Sequence, residues 1–353
     1  MSFRPDWAVP PGATIQEWLD ENAMTQAELA VRIDMSAKAL NQMVRGHAPI
    51  THETALRLEM VTGVQANVWN ALEANWQEES QRLRRQAALG VWTEWVRAFP
   101  LDWMRRHGVI TADGHHRHKQ VEEVLAFFGV ASPDAWDRLW AAPVAAFRKS
   151  SAFEVQAPAV ASWLRLGEVR AAQITCGPFN AAALRDRLDE FRALSLLRPE
   201  EYGELLVRRC ADVGVALVFL PEPQGARCSG ASRWLGHKYI VQLSLRYKSD
   251  DQLWFSFFHE IAHVLLHDRG QIFIEGLGND EAAEKEVEAD QFASHILIPD
   301  EYAPLLSQLR SLEAMRAFAE EIGIAPGVVV GRIQRDRGNY TIGNSLKKRL
   351  TFI

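Results

Sequence analysis

The 353-residue sequence is poor in cysteine, with three in all. Cys176, Cys210 and Cys228 are odd in number and far apart, so they form neither a C-x-x-C pair nor a disulfide framework. That fits a reducing cytosol. No stretch approaches the roughly 18 apolar residues that span a bilayer. The first residues, Met1-Ser2-Phe3-Arg4-Pro5-Asp6-Trp7, lack the apolar core of a signal peptide. The expected location is therefore cytoplasmic. A basic excess is missing too: the net charge is −6, so any nucleic-acid contact must come from a local face. No internal repeat is evident. What is there is an ordinary globular composition, 48% hydrophobic and 24% charged, at a length suited to two or three domains.

The most informative stretch is 249–267. Ser249 and Gln252 have capping-box spacing, and Gly270 stands where a C-terminal stop is expected. Trp254, Phe258, Ile261 and Leu265 recur at helical spacing. Within this helix His259-Glu260-Ile261-Ala262-His263 is H-E-x-x-H. Two His four residues apart project from one side of a helix and can ligate one metal ion. Glu260, beside the first, can take a proton from water that the metal activates.

A catalytic zinc site needs three protein ligands and one open position. His267 lies four residues beyond His263, still on the helix, and cannot be the third. A second helix is predicted over 280–298, limited by Pro299, and it carries Glu286-Val287-Glu288-Ala289-Asp290. Glu286 is the candidate third ligand. Asp290, one turn on, can accept the spare N–H of a ligand His and fix its tautomer. Glu288 points away by helical geometry and is kept as a reserve ligand. Strands are predicted over 215–220 and 239–245, with 225–232 between them as an edge strand or flexible loop. A small sheet before such a helix is the arrangement of zincin peptidases, in which an exposed edge can hold an extended peptide. Tyr239, Tyr247 and His237 are candidates for a further oxyanion donor.

At the N-terminal end, short helical patterns follow Pro10-Pro11-Gly12. One covers 13–22. One starts at Thr25, with Thr25 and Glu28 as a capping pair. One runs from near Ser36 to Gly46, and one follows Pro49-Ile50-Thr51. Two short helices joined by a tight break at Asp34-Met35 describe a helix-turn-helix. Its second helix would enter a major groove. Asn41 and Gln42 would read adenine edges, Lys38 and Arg45 would meet guanine or phosphate, and Gln26 would meet a phosphate. Against this, residues 1–70 hold five Lys/Arg to eight Asp/Glu. Ser36-Ala37 also puts small side chains where base contacts often start. Protein interaction is the alternative use of the same fold.

Pro11-Gly12, Thr25-Gln26-Ala27-Glu28-Leu29-Ala30, Gly46-His47-Ala48-Pro49-Ile50-Thr51 and Ala55-Leu56-Arg57-Leu58 resemble the HigA-type antitoxin branch of the XRE helix-turn-helix family. The resemblance covers roughly the first 75 residues and implies a dimeric autorepressor bound to operator DNA. Trp254-Phe255-Ser256-Phe257-Phe258-His259-Glu260-Ile261-Ala262-His263-Val264-Leu265-Leu266-His267, with Glu286-Val287-Glu288-Ala289-Asp290-Gln291-Phe292-Ala293 and Leu297-Ile298-Pro299, resembles the ImmA/IrrE family of zinc metallo-endopeptidases. This second resemblance covers roughly 200–353. It implies Zn2+ on His259, His263 and Glu286, with Glu260 as general base. Asp290 occupies a position that is usually Asn or Asp, and His267 has a supporting role behind the ligands. The implied substrates are helix-turn-helix repressors.

The expected architecture is mostly α with a small β-sheet, an α+β chain. It divides into a helix-turn-helix domain of five helices (1–75), a Trp-rich helical spacer (76–198) and a zincin-like peptidase domain (199–353). Trp76, Trp92, Trp95, Trp103, Trp136, Trp140 and Trp163 read as core of the spacer. His115-His116-Arg117-His118-Lys119 reads as a solvated loop, with metal or phosphate binding as the alternative. Arg332, Arg335, Arg337, Lys347, Lys348 and Arg349 outnumber Asp336 near the C-terminus and read as a solvated tail, or as support for DNA or an acidic peptide. Together these features describe a transcription-regulating zinc endopeptidase with its own DNA-binding domain. Its partners are operator DNA, a repressor or antitoxin as substrate, a toxin, and a second copy through the N-terminal domain. The competing reading is a non-catalytic antitoxin or repressor whose zinc domain binds a toxin or signal.

Overall fold

A computed structural model describes residues 7–142, 156–269, 272–275 and 280–350, with side chains omitted at 280–282. The chain forms two compact units, Met1–Glu94 and Trp95–Ile353. It is mostly helical, with one four-stranded sheet among the described residues. No helix there is long and apolar enough to cross a membrane.

The first unit has five helices: α1 (Gly12–Glu21), α2 (Gln26–Arg32), α3 (Ala37–Val44), α4 (His52–Thr62) and α5 (Ala66–Val91). Thr25, Ser36 and Thr51 each accept a hydrogen bond from the backbone N–H three residues on, which satisfies an otherwise orphaned donor at the helix start. The Glu28 side chain does not complete the expected capping box and pairs with Arg32 at 2.8 Å instead. Ile15, Leu19, Leu29, Leu40, Leu58 and Trp69 are fully buried together. Glu73 of α5 is buried and accepts from the Ile50 backbone N–H and from Gln77, which fixes α5 to the approach of α4. No Pro or Gly interrupts 66–89, and α5 runs through residues 75 and 76 without a break.

In the second unit the sheet has the order β1-β3-β2-β4, with β1 (Val215–Phe219), β2 (Gly230–Leu235), β3 (Lys238–Leu243) and β4 (Ile272–Ile274). β1 is parallel to β3, and β2 is antiparallel to both of its neighbours. The stretch expected as an edge strand or loop therefore leads into an interior strand. The edge on that side is β4, a triplet too short to show period-2 alternation.

One face of the sheet, with Val215, Leu217, Val241 and Leu243, packs on α8 (Asp250–Leu266). Of the helices before it, the two that bear on the sheet are labelled α6 (Ala157–Ala172) and α7 (Pro199–Asp212); α9 (Asp280–Leu297), α10 (Leu312–Glu321) and α11 (Pro326–Arg337) follow it. α8 is central rather than amphipathic. Trp254, Phe257, Phe258 and Ile261 are all fully buried, so its apolar surface wraps around more of the helix than one stripe. Ser249 is its N-cap but makes no side-chain cap bond; its backbone bridges Arg349 instead. The helix ends at Leu266, and Gly270 lies outside the described residues.

The other face is covered by α6, from the segment expected as a spacer. Here polar side chains of the sheet reach helix carbonyls. Arg233 donates to Leu164 O at 2.6 Å, Gln242 to Trp163 O at 2.8 Å, and Lys238 to Ala171 O and Ile174 O at 2.7 Å each. Trp163 is fully buried and donates to Leu220 O, and Trp103 donates to Pro221 O. Trp95, Phe99, Phe128 and Trp136 pack edge-on or tilted against one another. His115, His116, Arg117 and His118 are exposed, and His116 pairs with Asp113.

Of the C-terminal basic residues, Arg337, Lys347 and Lys348 are tied inward, while Arg335 and Arg349 are exposed. Lys347 meets Asp251 and Gln334 at 2.7 Å each, Lys348 reaches the carbonyls of 195–197, and Arg337 reaches those of Leu306 and Leu309. Asp250 and Asp251 at the start of α8 are buried, and Gly327 of α11 lies so close that a Cβ there would sit 2.4 Å from Asp250 Oδ1.

Candidate metal centre and helix-turn-helix surface

α8 and α9 place three ligand-bearing side chains together. His259 and His263 are one turn apart on α8 and almost fully buried, with their Nε2 atoms 3.1 Å apart. Glu286 of α9 brings Oε2 to 3.2 Å from His259 Nε2 and Oε1 to 3.4 Å from His263 Nε2. Ligand atoms of all three lie within 4.8 Å of one another, a grouping that can hold a metal ion.

The outer contacts set the tautomers. His259 Nδ1 is 3.0 Å from Asp290 Oδ1, and a carboxylate there calls for an N–H on Nδ1. Asp290 is held in turn by Arg335 of α11 at 2.7 Å. On the second ligand, His263 Nδ1 is 2.9 Å from His267 Nδ1, while His267 Nε2 is 3.0 Å from Glu288 Oε2. Glu288 accepts the Nε2–H of His267, so His267 Nδ1 is left as acceptor for the Nδ1–H of His263. Glu288, kept in reserve as a ligand, faces His267 and is not in the cluster. The Phe273 ring stacks on His263 at 4.1 Å and 14°.

With both Nδ1 atoms protonated, both Nε2 atoms present lone pairs to each other and to a carboxylate. Three acceptors at this range call for a cation or a proton between them. The donor set, two imidazoles and one carboxylate with their outer hydrogen bonds in place, suits zinc. In the protein alone the proton's share is visible. Burial disfavours charge on His259, yet hydrogen bonds to Asp290 and Glu286 raise its pKa to about 11. Glu286 is also disfavoured by burial, but the two His hydrogen bonds bring it down to about 2.

Glu260 projects from α8 towards β2. It is fully buried, and neither carboxylate oxygen makes a close hydrogen bond among the described residues, although the Ser232 hydroxyl of β2 faces it. Burial pushes its pKa well above the usual carboxylate range, against the pull of His259. Its space exists because residue 230 is Gly: a Cβ there would fall 2.4 Å from Glu260 Oε1. Glu275, just after β4, hydrogen-bonds its backbone N–H to Gly230 O, and burial raises its carboxyl pKa as well.

Gly230, Glu275 and Arg335 are the neighbours that sequence reasoning missed. Arg335 was grouped with the basic tail. Gly230 was visible as a Gly opening a strand, where close backbone approach is one standard reason for it. Of the oxyanion candidates, Tyr239 is buried against Phe179 and Trp234, and His237 is exposed in the β2–β3 turn. Tyr247 lines a cavity on the N-terminal side of the ligands.

In the first unit Lys38 and Gln42 are exposed on α3, and Arg45 is exposed at its C-cap. Asn41 and Gln26 are half-buried and linked: Gln26 donates to Gln16 Oε1 at 2.7 Å and Asn41 donates to Gln26 Oε1 at 3.1 Å. This amide chain fixes the side-chain orientations of α2 and α3 relative to each other. Arg57 is committed to structure, donating to the carbonyls of Ile33 and Asp34 in the turn between those helices.

A family profile for helix-turn-helix domains matches residues 15–69, and a profile for the IrrE N-terminal-like domain, the M78 peptidases, matches residues 210–334. The uncharacterized HTH-type transcriptional regulator YddM of Escherichia coli is 32% identical over 66 residues, 19% of this chain and 70% of that protein. The Pseudomonas aeruginosa antitoxin HigA, solved with the higBA promoter, is 26% identical over 21% of this chain and 83% of its own, with a TM-score of 0.21. A second Pseudomonas aeruginosa protein, solved with its 18-bp operator DNA, is 27% identical over 23% of this chain and 84% of its own, also at 0.21. The chain belongs to the XRE-type helix-turn-helix family through its N-terminal unit and carries an IrrE-like M78 peptidase domain in its C-terminal unit.

Proposed function

We propose that this protein is a cytoplasmic, DNA-binding regulator whose C-terminal unit is a zinc-dependent endopeptidase, cutting a helix-turn-helix repressor or antitoxin. One observation carries the reading: the three acceptors of His259, His263 and Glu286 converge beside Glu260, whose buried carboxylate is in no ion pair and makes no close hydrogen bond among the described residues. His259, His263 and Glu286 hold the zinc, and Asp290 and His267 hold the imidazoles in the tautomers that binding requires. Zinc in such a set supplies Lewis acidity, bringing the pKa of water towards ~7 and polarising a peptide carbonyl. Glu260 takes a proton from the attacking water and delivers it to the leaving amine. Arg335 keeps Asp290 aimed at His259.

The N-terminal unit brings this chemistry to DNA, through Gln26, Lys38, Asn41, Gln42 and Arg45 on α2 and α3. The unit is proposed to pair with a second copy, as operator-binding helix-turn-helix domains do. The test is quantitative proteomics of cells expressing wild type or Glu260→Gln, before and after DNA damage or phage infection. A protein lost only with wild type is the substrate; identical proteomes would count against the peptidase. A second reading, a non-catalytic repressor or antitoxin that binds a toxin, draws on the ordered Gln16–Gln26–Asn41 chain. It expects operator binding and toxin capture that do not change in Glu260→Gln.

A further inference from the structure

Beside the metal-holding residues lies a cavity of about 640 Å3 that the chemistry above leaves unused. Phe255, one turn before His259 on α8, lines it together with Gln252, so the cavity runs from the ligands towards the start of the helix. Arg332 and Arg335, three residues apart on α11, line it from one element. Arg246, after β3, and Arg227, before β2, line it from elsewhere in the fold. Lys347 and Asp251 also line it and neutralise each other at 2.7 Å. Of the lining carboxylates that leaves Glu275, while Arg332 and Arg335 are also paired with Asp336 and Asp290 outside the lining.

The guanidinium groups are positioned without being used up. Arg332 directs its Nε at Asp336, 3.0 Å away. Arg335 gives Nη2 to Asp290 at 2.7 Å and lies over the Phe255 ring at 5.0 Å. Arg246 gives Nη1 to Arg227 O at 2.7 Å and lies over Tyr247 at 5.5 Å. A guanidinium carries five N–H donors in a fixed fork, so each of the three, tied through a single nitrogen in these bonds, has donors beyond it. Held cations around a half-enclosed space bind carboxylates through charge-assisted hydrogen bonds, about twice as strong as neutral ones.

We infer that this cavity is an acidic-residue subsite: it takes an Asp or Glu side chain of the substrate, on the side of the scissile bond nearest Phe255, and Arg246 and Arg332 supply its donors. The inference rests on the endopeptidase reading for the bond that is cut, but not for binding. A basic side chain at that place would meet like charge, so the subsite selects against it as well as for the acid.

The probe is a fluorescein-labelled octapeptide with two adjacent Glu, compared with the same peptide carrying two Gln. Binding to the zinc-loaded, full-length Glu260→Gln protein is read by fluorescence anisotropy. The Glu peptide is expected to bind about tenfold tighter, since a charged partner gains on the order of 1.4 kcal/mol over a neutral one. Arg246→Gln with Arg332→Gln, made in that background, is expected to abolish the preference while zinc content stays at one per chain. If the pair of changes costs zinc, Arg246→Gln alone carries the test, with an expected loss of about threefold. Equal binding of the two peptides, or a preference that survives both substitutions, overturns the subsite. A preserved preference beside a wild type that cuts nothing would overturn the peptidase and leave the subsite standing.

Discussion

Replacing Gly230 by Ala adds a single methyl group and should disable the proposed base without touching a ligand. A Cβ at 230 would lie 2.4 Å from Glu260 Oε1, 2.8 Å from Cγ and 3.0 Å from Cδ. Ordinary contact begins at 3.4 Å, so the carboxylate must retreat by about 1 Å. It cannot turn to solvent, because Glu260 is fully buried on a helix packed all round. A displacement of about 1 Å in a catalytic group costs on the order of 100-fold in rate.

The strand itself has no objection to Ala, since Gly230 is not among the positive-φ residues. Local overpacking of ~1–3 kcal/mol sets the limit on lost stability. The expected result is therefore cleavage down about 100-fold, with one zinc per chain and a native circular dichroism spectrum. The assay is single-turnover cleavage of the substrate identified by proteomics. Gly203→Ala is the control, because nothing lies within 4 Å of a Cβ there. Full cleavage by Gly230→Ala would refute the placement of Glu260. Zinc lost in step with activity would make the effect one of packing.

Other outcomes follow from the same structure. Asp290→Asn weakens the anchor on His259 and should lower zinc affinity ~10–100-fold, measured by competition with a chromogenic chelator, with binding restored at high zinc. Asp250 is buried, with Asp251 beside it, and its pKa is raised to about 6 despite hydrogen bonds from backbone N–H groups. A carboxyl raised on folding contributes stability that is complete below its unfolded value near 3.8 and is lost as pH rises through about 6, here on the order of 3 kcal/mol. Asp250→Asn should flatten that part of the stability–pH curve in urea titrations between pH 4 and 7; an unchanged slope would exclude Asp250 as its source. Trp163→Ala removes a fully buried indole under the sheet and should cost ~3–5 kcal/mol by the same titration. Residues 199–353 alone, lacking α6, should fail to give a cooperative transition where 95–353 gives one.

How far the sequence could be read depended on how local each signal was. H-E-x-x-H sits on one helix, and Glu286 and Asp290 on another, so periodicity alone placed their side chains in usable order. The cap at Thr25 and the helix starts near Ser36 and Thr51 are equally local. What could not be read was contact between distant segments. α6 carries a plain helical pattern, but nothing in it says that Arg233, Lys238 and Gln242 will reach its carbonyls. Lys347 and Lys348 look like a charged tail because their partners are about 100 and 150 residues earlier in the chain. β4 is three residues long, below the length at which alternation is a signal, and without it β2 looked like an edge. Gly230 makes sense only once Glu260 is opposite it.

The central claim is that His259, His263 and Glu286 hold zinc. The direct measurement is metal content by inductively coupled plasma mass spectrometry, on wild type and His263→Ala purified side by side without added metal. The expected result is one zinc per wild-type chain and near none in the variant, with circular dichroism spectra that superimpose. A folded wild type without zinc, or a variant that retains it in full, would contradict the claim.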